Sequence, residues 1–379
     1  MMRVAFAGGG TGGHLFPGLA LAEELRRRAP EARLMFLCTD RDGAYGGLDA
    51  PWLEVAVLPG RHRGSLPVRV ASLLPAAAGA MQVLLRFRPH VVVGCGGYGS
   101  LAPVLCARAL RIPSLLLEQN VVPGRANRLL QIFASELACQ WEEALPFFRC
   151  RSKARVTGNP VTARVRRHDR AKAAAALDLD PAAPTLLVMG GSQGATPLNN
   201  LVVEALPHLA QAHTALQFVH LTGATDCDRV RAAYESHGMR ATVRAFLRDV
   251  SLAFSACDLA LARAGGTSIA ESTALGIPSL LVPLPCAVDN HQFLNARVLE
   301  YHGAGVLLDQ KTLSPERLAT EVAELLGNKL RLGYMASRSR RVGVPRAASV
   351  VADRILALHD ASQRPRRERR AMEVAPQRP

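Results

Sequence analysis

Short apolar runs alternate with stretches of helical periodicity along nearly the whole chain. In the first half the runs are Val4–Ala7, Arg33–Leu37, Leu53–Val57, Val91–Gly94, Ser114–Leu117, Leu137–Ala138 and Arg155–Thr157. In the second they are Thr185–Met189, Leu216–Leu221, Thr242–Ala245, Leu259–Ala262, Ser279–Val282 and Gly305–Leu308. Near-continuous hydrophobic strands separated by helices are the pattern of βα units around a parallel sheet, so the fold class is α/β. A helix is predicted from about Pro17 to Arg28, with Arg26, Arg27 and Arg28 at the end where cations favour the helix dipole. A surface helix is predicted over the basic, alanine-rich stretch from Arg164 to Ala176, and a last helix from Pro345 to His359. Thr157-Gly158-Asn159-Pro160 is a turn signal between the halves. The halves share this grammar and no short-period repeat.

Two runs end in glycine-rich turns. Gly8-Gly9-Gly10-Thr11-Gly12-Gly13-His14 follows the first strand, and Gly190-Gly191-Ser192-Gln193-Gly194-Ala195 follows the first strand of the second half. A turn that opens a helix offers unpaired N–H groups and a positive dipole end, which suits phosphate. Two such turns predict two similar α/β domains with a ligand-sized cleft between them. The first turn is not a clean dinucleotide fingerprint, because only Asp40 loosely fits the acidic ribose contact. It does carry His14, which a loop that only holds phosphate does not need.

Composition narrows the class. At 379 residues, 49% hydrophobic and 20% charged, the chain is globular and long enough for two cores. No apolar run reaches the roughly 18 residues that argue a transmembrane helix, and the N-terminus lacks a secretory pattern. The eight cysteines, Cys38, Cys95, Cys106, Cys139, Cys150, Cys227, Cys257 and Cys286, form no CxxC pair or zinc spacing and read as reduced, mostly buried thiols. The net charge is +15, partly in the tail Arg364-Pro-Arg-Arg-Glu-Arg-Arg370 and otherwise spread over the body. Such an excess favours anionic surfaces or substrates. Aromatics make up only 5%, with no interleaving of aromatic and basic residues for base stacking, so no specific nucleic-acid partner is expected. The segment Leu66 to Phe87 is apolar and ringed by Arg61, Arg63, Arg69, Arg86 and Arg88. Much of it must be core helix, but an apolar surface ringed by arginine also suits an interfacial membrane contact.

Further motifs stand at strand ends. They are Val93-Gly-Cys-Gly-Gly-Tyr-Gly-Ser100, the polar triplet Glu118-Gln119-Asn120, Arg263-Ala-Gly-Gly-Thr-Ser-Ile-Ala-Glu271, and Asp289-Asn290-His291-Gln292 with Asn295. In a doubly wound sheet that edge is where ligands bind. In this order, together with Gly9-Gly10-Thr11-Gly12-Gly13-His14, Gly96-Gly97-Tyr98, Gly158-Asn159-Pro160-Val161 and Gly190-Gly191-Ser192-Gln193-Gly194-Ala195, they resemble the MurG family over about residues 2 to 360. These are UDP-N-acetylglucosamine transferases that complete the lipid-linked peptidoglycan precursor. The resemblance implies a GT-B fold of two Rossmann-like doubly wound domains facing a cleft. It also implies inverting transfer of GlcNAc from UDP-GlcNAc to the C4 hydroxyl of lipid I, giving lipid II and UDP. The implied place is the cytoplasmic face of the inner membrane, peripherally bound. Implied partners are lipid I, an anionic phospholipid surface and cell-wall synthesis and division proteins. No cofactor and no metal are called for.

Domain boundaries follow: 1–162 for the acceptor and membrane side, 163–344 for the donor side, 345–361 for a helix crossing back, and 362–379 for a basic disordered tail. Inverting transfer needs a base at the acceptor hydroxyl and positive potential at the leaving diphosphate. His14 is the candidate base. Thr11, Gly12, Gly13, Tyr98 and Asn120 are expected to line the acceptor pocket, with Glu118 and Gln119 positioning it; Thr11, Gly12, Gly13 and Asn120 also face the donor. Ser192, Gln193, Gly194 and Ala195 are expected to hold the diphosphate, and Glu271 the ribose. The Leu247 backbone is assigned to uracil, Arg263, Gly265, Gly266 and Thr267 to the adjoining loop, and Gln292 and Asn295 to the sugar. Two positions depart from the family: Thr162 stands where arginine is frequent, with Arg164 as a substitute, and His291 precedes Gln292 where a glutamine pair is frequent. The rivals are a transferase for another lipid acceptor, a UDP-GlcNAc 2-epimerase on the same fold, and a nucleotide- or nucleic-acid-binding protein.

Overall fold

The computed structural model describes residues 1–9, 11–39, 48–59, 73–212 and 215–363. Gly10, Asp40, the arginines and apolar residues from 61 to 70, and the tail beyond Gln363 lie outside them. The chain divides into two compact units. One comprises Met1–Gln119, Pro123–Thr162 and the C-terminal segment from Arg346; the other comprises Asn120–Val122 and Ala163–Pro345.

The first unit is a parallel sheet of β1 (Arg3–Gly8), β2 (Arg33–Cys38), β3 (Leu53–Val57), β4 (Val91–Gly96), β5 (Ser114–Glu118), β6 (Glu136–Cys139) and β7 (Ala154–Val156). Its spatial order is β3-β2-β1-β4-β5-β6-β7. Val4, Phe6, Val91, Val93, Leu115 and Leu117 pack one face against Leu15, Leu21 and Leu25 of the helix Gly12–Arg28 and against Val351, Ala352 and Ile355 of the helix Ala347–Gln363. Arg354 grips Glu136 in a two-pronged ion pair that fixes the C-terminal helix to β6. That helix runs past the expected His359 and takes in residues 362 and 363, which were expected in the tail.

The second unit contains β8 (Thr185–Met189), β9 (Gln217–Leu221), β10 (Ala241–Arg244), β11 (Leu259–Ala262), β12 (Ser279–Leu281) and β13 (Gly305–Leu307), all parallel, in the order β10-β9-β8-β11-β12-β13. In both sheets the chain winds one way and then crosses to the other side of its first strand. The reversal falls between β1 and β4 in one unit and between β8 and β11 in the other. Doubly wound sheets bind ligands at the carboxyl ends of the strands at this point.

Two helical expectations are corrected. The first helix begins at Gly12, not at Pro17. Thr11 is the extended N-cap residue, and its carbonyl accepts from the His14 and Leu15 N–H groups at 3.2 Å each. Pro17 is carried inside the helix, at the loss of one rung of the ladder. The second is the stretch from Arg164, which is helical only over Arg170–Ala176. Residues 165 to 169 are strapped down by tertiary bonds instead. The Arg164 carbonyl accepts from Ser251 Oγ, the His168 N–H donates to Ser255 Oγ, and the Arg167 guanidinium donates to the Leu275 carbonyl. Asp169 caps the short helix that follows, accepting from the Lys172 N–H at 3.0 Å.

Candidate active site

In the first unit the site is built from the ends of β1, β4 and β5. The β1–β4 register slips at its carboxyl end: Ala7 pairs with Gly94, but Gly8 pairs with Gly96. The bulge turns Cys95 into the core, where burial pushes its thiol up to about 12. It also brings Gly96 and Gly97 against the ring of His14. A β-carbon on Gly96 would lie 2.6 Å from His14 Cδ2 and 3.1 Å from Nε2; one on Gly97 would lie 3.1 Å from Nδ1. Both glycines have positive φ, +102° and +71°. The imidazole is half-buried on bare backbone, with Nδ1 at 3.0 Å from Thr11 Oγ1. Sequence reasoning quoted this glycine pair as a motif but gave it no role; its signal was two glycines at the end of a strand.

The polar triplet after β5 divides its work. Glu118 is 2% exposed, and its Oε2 accepts from the Gly124 N–H and from Asn127 Nδ2, both at 2.9 Å. Gln119, equally buried, donates to the Cys95 carbonyl at 2.9 Å. Both brace the loop and the bulge beneath His14. Tyr98 opens a turn of 3-10 helix and, with Thr39, Leu58, Leu73 and Ala76, lines a shallow pocket. Gly12 and Gly13 form the first turn of the helix that carries His14.

Asn120 belongs to the second unit. Its side-chain oxygen accepts from Asn295 Nδ2 at 3.0 Å. Asn295 is fully buried; its other Nδ2 hydrogen goes to the Ala264 carbonyl, and its Oδ1 accepts from the Val121 N–H. With both amide hydrogens used, Asn295 holds the 120–122 segment, and only its Oδ1 has capacity left to accept from a hydroxyl.

The donor-side groups gather at the ends of β8 and β11. Gly190 to Ala195 form a tight turn closed by the Gly194 N–H on the Gly191 carbonyl at 3.0 Å, leading into the helix Thr196–Ala212. Gly191 has φ +95° and open space around its missing side chain. Arg263, Gly265, Gly266 and Thr267 follow β11, with Gly265 as N-cap of the helix Gly266–Ala274. The Arg263 side chain is 4% exposed; Nη1 donates to the Val282 and Pro283 carbonyls, while Nε and Nη2 have no hydrogen-bond partner. Burial pulls its pKa below the usual guanidinium value. Two orphaned donors on a buried cation fit the oxygens of an anion.

Glu271 lies in the second turn of the Gly266–Ala274 helix and is partly buried; desolvation pushes its pKa up to about 7. Leu247 is half-buried in the loop after β10. Asp289 and Asn290 take two successive left-handed conformations, at φ 52° and 54°. Beyond them, His291 Nδ1 lies 2.7 Å from the Val288 carbonyl. Gln292 Oε1 accepts from the Leu284 N–H at 2.9 Å, which turns its amide NH2 away from that loop. Ser192 is half-buried, Gln193 and Arg164 are exposed, and Thr162 is the last residue of the first unit before the crossing. Among the described residues no group of His, Cys, Asp and Glu could hold a metal ion, and no helix is long and apolar enough to cross a membrane.

Two doubly wound sheets, each with a glycine turn at its switch point, define the GT-B fold. The model of the glycosyltransferase family 28 N-terminal domain matches residues 4–139, and that of the C-terminal domain residues 185–351. A protein of Anaeromyxobacter sp. (strain K) called UDP-N-acetylglucosamine--N-acetylmuramyl-(pentapeptide) pyrophosphoryl-undecaprenol N-acetylglucosamine transferase is 41% identical, covering 93% of this chain and 92% of its own. One of the same name from Nitratidesulfovibrio vulgaris (strain Hildenborough) is 40% identical, over 97% of this chain and all of its own. The crystal structure of MurG from Acinetobacter baumannii superposes with a TM-score of 0.74 at 29% identity, covering 94% of this chain and 100% of that one. A UDP-N-acetylglucosamine 2-epimerase structure from Listeria monocytogenes, described as putative, has a TM-score of 0.69 at 17% identity, over 96% of this chain and 98% of its own, a likeness of fold alone. The chain belongs to glycosyltransferase family 28 and, within it, to the MurG family.

Proposed function

We propose that this protein transfers GlcNAc from UDP-GlcNAc to the C4 hydroxyl of the MurNAc unit of undecaprenyl-pyrophosphoryl-MurNAc-pentapeptide, giving lipid II and UDP with inversion at C1. Its relatives carry the name of this reaction. The observation that carries the chemical reading is the seating of His14, half-buried against Gly96 and Gly97 with Nδ1 tied to Thr11 Oγ1. In the tautomer in which Nδ1 carries the hydrogen and donates it to Thr11 Oγ1, Nε2 is the basic nitrogen that takes the acceptor's proton. As the acceptor oxygen attacks C1, its proton passes to Nε2. The bond from C1 to the diphosphate breaks, and the electron pair leaves with UDP.

On the donor side, the N–H groups of Ser192, Gln193 and Ala195 and the unpartnered Nε and Nη2 of Arg263 receive the diphosphate, and Glu271 takes the ribose hydroxyls. The Leu247 backbone reads uracil, and the Gln292 amide reads the sugar. Arg164 supplies the charge that Thr162 does not. Tyr98 and Asn120 contact the acceptor. The protein works bound peripherally to the cytoplasmic face of the inner membrane, on an anionic phospholipid surface and with cell-wall synthesis and division proteins. Its lipid-facing element is the helix Leu73–Phe87, which buries Ala76, Ala80, Leu84 and Phe87 while Leu74 and Leu85 stand exposed beside Arg86. Isothermal titration of UDP and of UDP-GlcNAc tests the donor half: wild type should bind both, Glu271→Ala should bind each about 10-fold to 100-fold more weakly, and equal affinity would remove Glu271 from the ribose site.

A further inference from the structure

Beneath the glycine turn after β8, a chain of buried polar side chains crosses the apolar core of the second unit. Tyr234, His220 and Asn199 are each at most 1% exposed among Val202, Phe218, Val230 and Leu259. His220 Nδ1 lies 3.1 Å from the Tyr234 hydroxyl, and Nε2 lies 3.0 Å from Asn199 Oδ1. Asn199 Nδ2 donates to the Thr222 carbonyl at 2.9 Å and to Asp226 Oδ2 at 2.8 Å. Asn199 therefore offers His220 only an acceptor, so Nε2 carries the imidazole hydrogen and Nδ1 accepts from Tyr234. Burial pulls the His220 pKa down to about 3, so the ring stays neutral and the directions of the chain are fixed.

At the Asn199 end this chain meets two segments of the donor site. The Thr222 carbonyl presses on the diphosphate turn: a β-carbon on Gly194 would lie 2.0 Å from it, and one on Gly223 would lie 2.4 Å from the Gln193 carbonyl. Gly194 and Gly223, with φ +77° and +81°, let the two backbones run in contact. The Gly223 N–H donates to the Ala245 carbonyl at 3.0 Å, just before Leu247. The Asp226 carboxylate accepts from the hydroxyl of Thr196, the first residue of the helix after the turn, as well as from Asn199 and Arg229; these bonds hold it below the usual carboxylate range.

We propose that the chain Tyr234–His220–Asn199 positions the diphosphate turn, with Asn199 as the residue that fixes both its neighbour Thr222 and its helix anchor Asp226. This rests on the donor reading above. A buried polar chain of this length is costly unless every member is paired, and here the pairing fixes the place of two loops and a helix start. These residues are positioning residues; they act through the backbone of Gln193 and Gly194 and through the hydroxyl of Thr196.

The test compares Asn199→Leu and Tyr234→Phe with Leu318→Ala, which removes bulk from the same apolar core without removing a hydrogen-bonding group of the chain. Each variant is measured for UDP affinity, for KM and kcat with UDP-GlcNAc and a short-chain lipid I analogue, and for Tm. Asn199→Leu should raise the UDP Kd and the donor KM about 10-fold to 100-fold with kcat at saturating donor within about threefold, and Tyr234→Phe should shift the same constants about threefold. Leu318→Ala should lower Tm and leave KM unchanged. Donor KM unmoved in both polar variants, or raised as much by Leu318→Ala, overturns the proposal. If Asn199→Leu does not fold, Tyr234→Phe decides alone. A wild type that binds neither UDP nor UDP-GlcNAc overturns the donor reading itself, independently of any variant.

Discussion

The chemistry rests on a few side chains whose neighbours decide what they do. His14 is held on one side by the bare backbone of Gly96 and on the other by Thr11. Gly96→Ala would force a methyl to within 2.6 Å of the ring at a φ of +102°. This variant should lose about 10-fold to 1000-fold in kcat with the donor KM unchanged, because the base is displaced and the donor site is not. Steady-state kinetics at saturating acceptor checks this. Glu271 makes a second prediction. With its pKa up at about 7, the carboxyl of the free protein holds a proton in mildly acidic solution. The ribose hydroxyls need the ionised form, so binding expels that proton. UDP affinity should therefore rise with pH until the carboxyl is ionised, approaching about tenfold per pH unit on the acid side. Titration calorimetry at pH 6 and 8 should show this in wild type and a flat profile in Glu271→Gln. The places of His14 and Glu271, each after a glycine turn at a strand end, were legible in the sequence. The pairing of Asn295 was not: nothing in its neighbours along the chain shows that Val121, Asn120 and Ala264 engage its amide. Nor could the chain from Tyr234 to Asn199 be read, since its members lie on separate elements.

The strands were readable because a parallel sheet covered on both faces demands unbroken apolar runs. Their expected bounds match the structure to within a residue or two, and the strand order follows from the doubly wound pattern. Helix starts were harder. Pro17 reads as a beginning, yet Thr11 already caps the turn. The stretch from Arg164 has good helix formers, but side chains from distant elements take backbone groups of Arg164 and His168, and the helix starts only at Arg170. Local propensity yields to tertiary bonds of this kind. The loop after β5 gives a prediction at this scale. Asn295→Ala leaves the Val121 N–H and the Ala264 carbonyl without their partner, and should cost about 1–3 kcal/mol of stability. Chemical denaturation should show a lowered midpoint with an unchanged slope.

For the molecule as a whole, the division of labour follows the two units. The proposed base, His14, belongs to the sheet that ends in β7, and the groups proposed for UDP belong to the sheet that begins with β8. The proposed contact with an anionic bilayer draws on the net charge of +15 and the exposed Leu74 and Leu85. Leu74→Glu with Leu85→Glu should weaken sedimentation with anionic vesicles about tenfold or more and leave UDP affinity as it is. Equal sedimentation would remove that helix from the membrane contact. The most direct test of the account is transfer of labelled GlcNAc from UDP-GlcNAc to a short-chain lipid I analogue by wild type and by His14→Ala. Robust transfer by wild type, reduced about 100-fold or more by the substitution with UDP still bound, is the predicted result. Undiminished transfer by His14→Ala would contradict the assignment of the base, and no transfer by a wild type that binds UDP-GlcNAc would contradict the proposed acceptor.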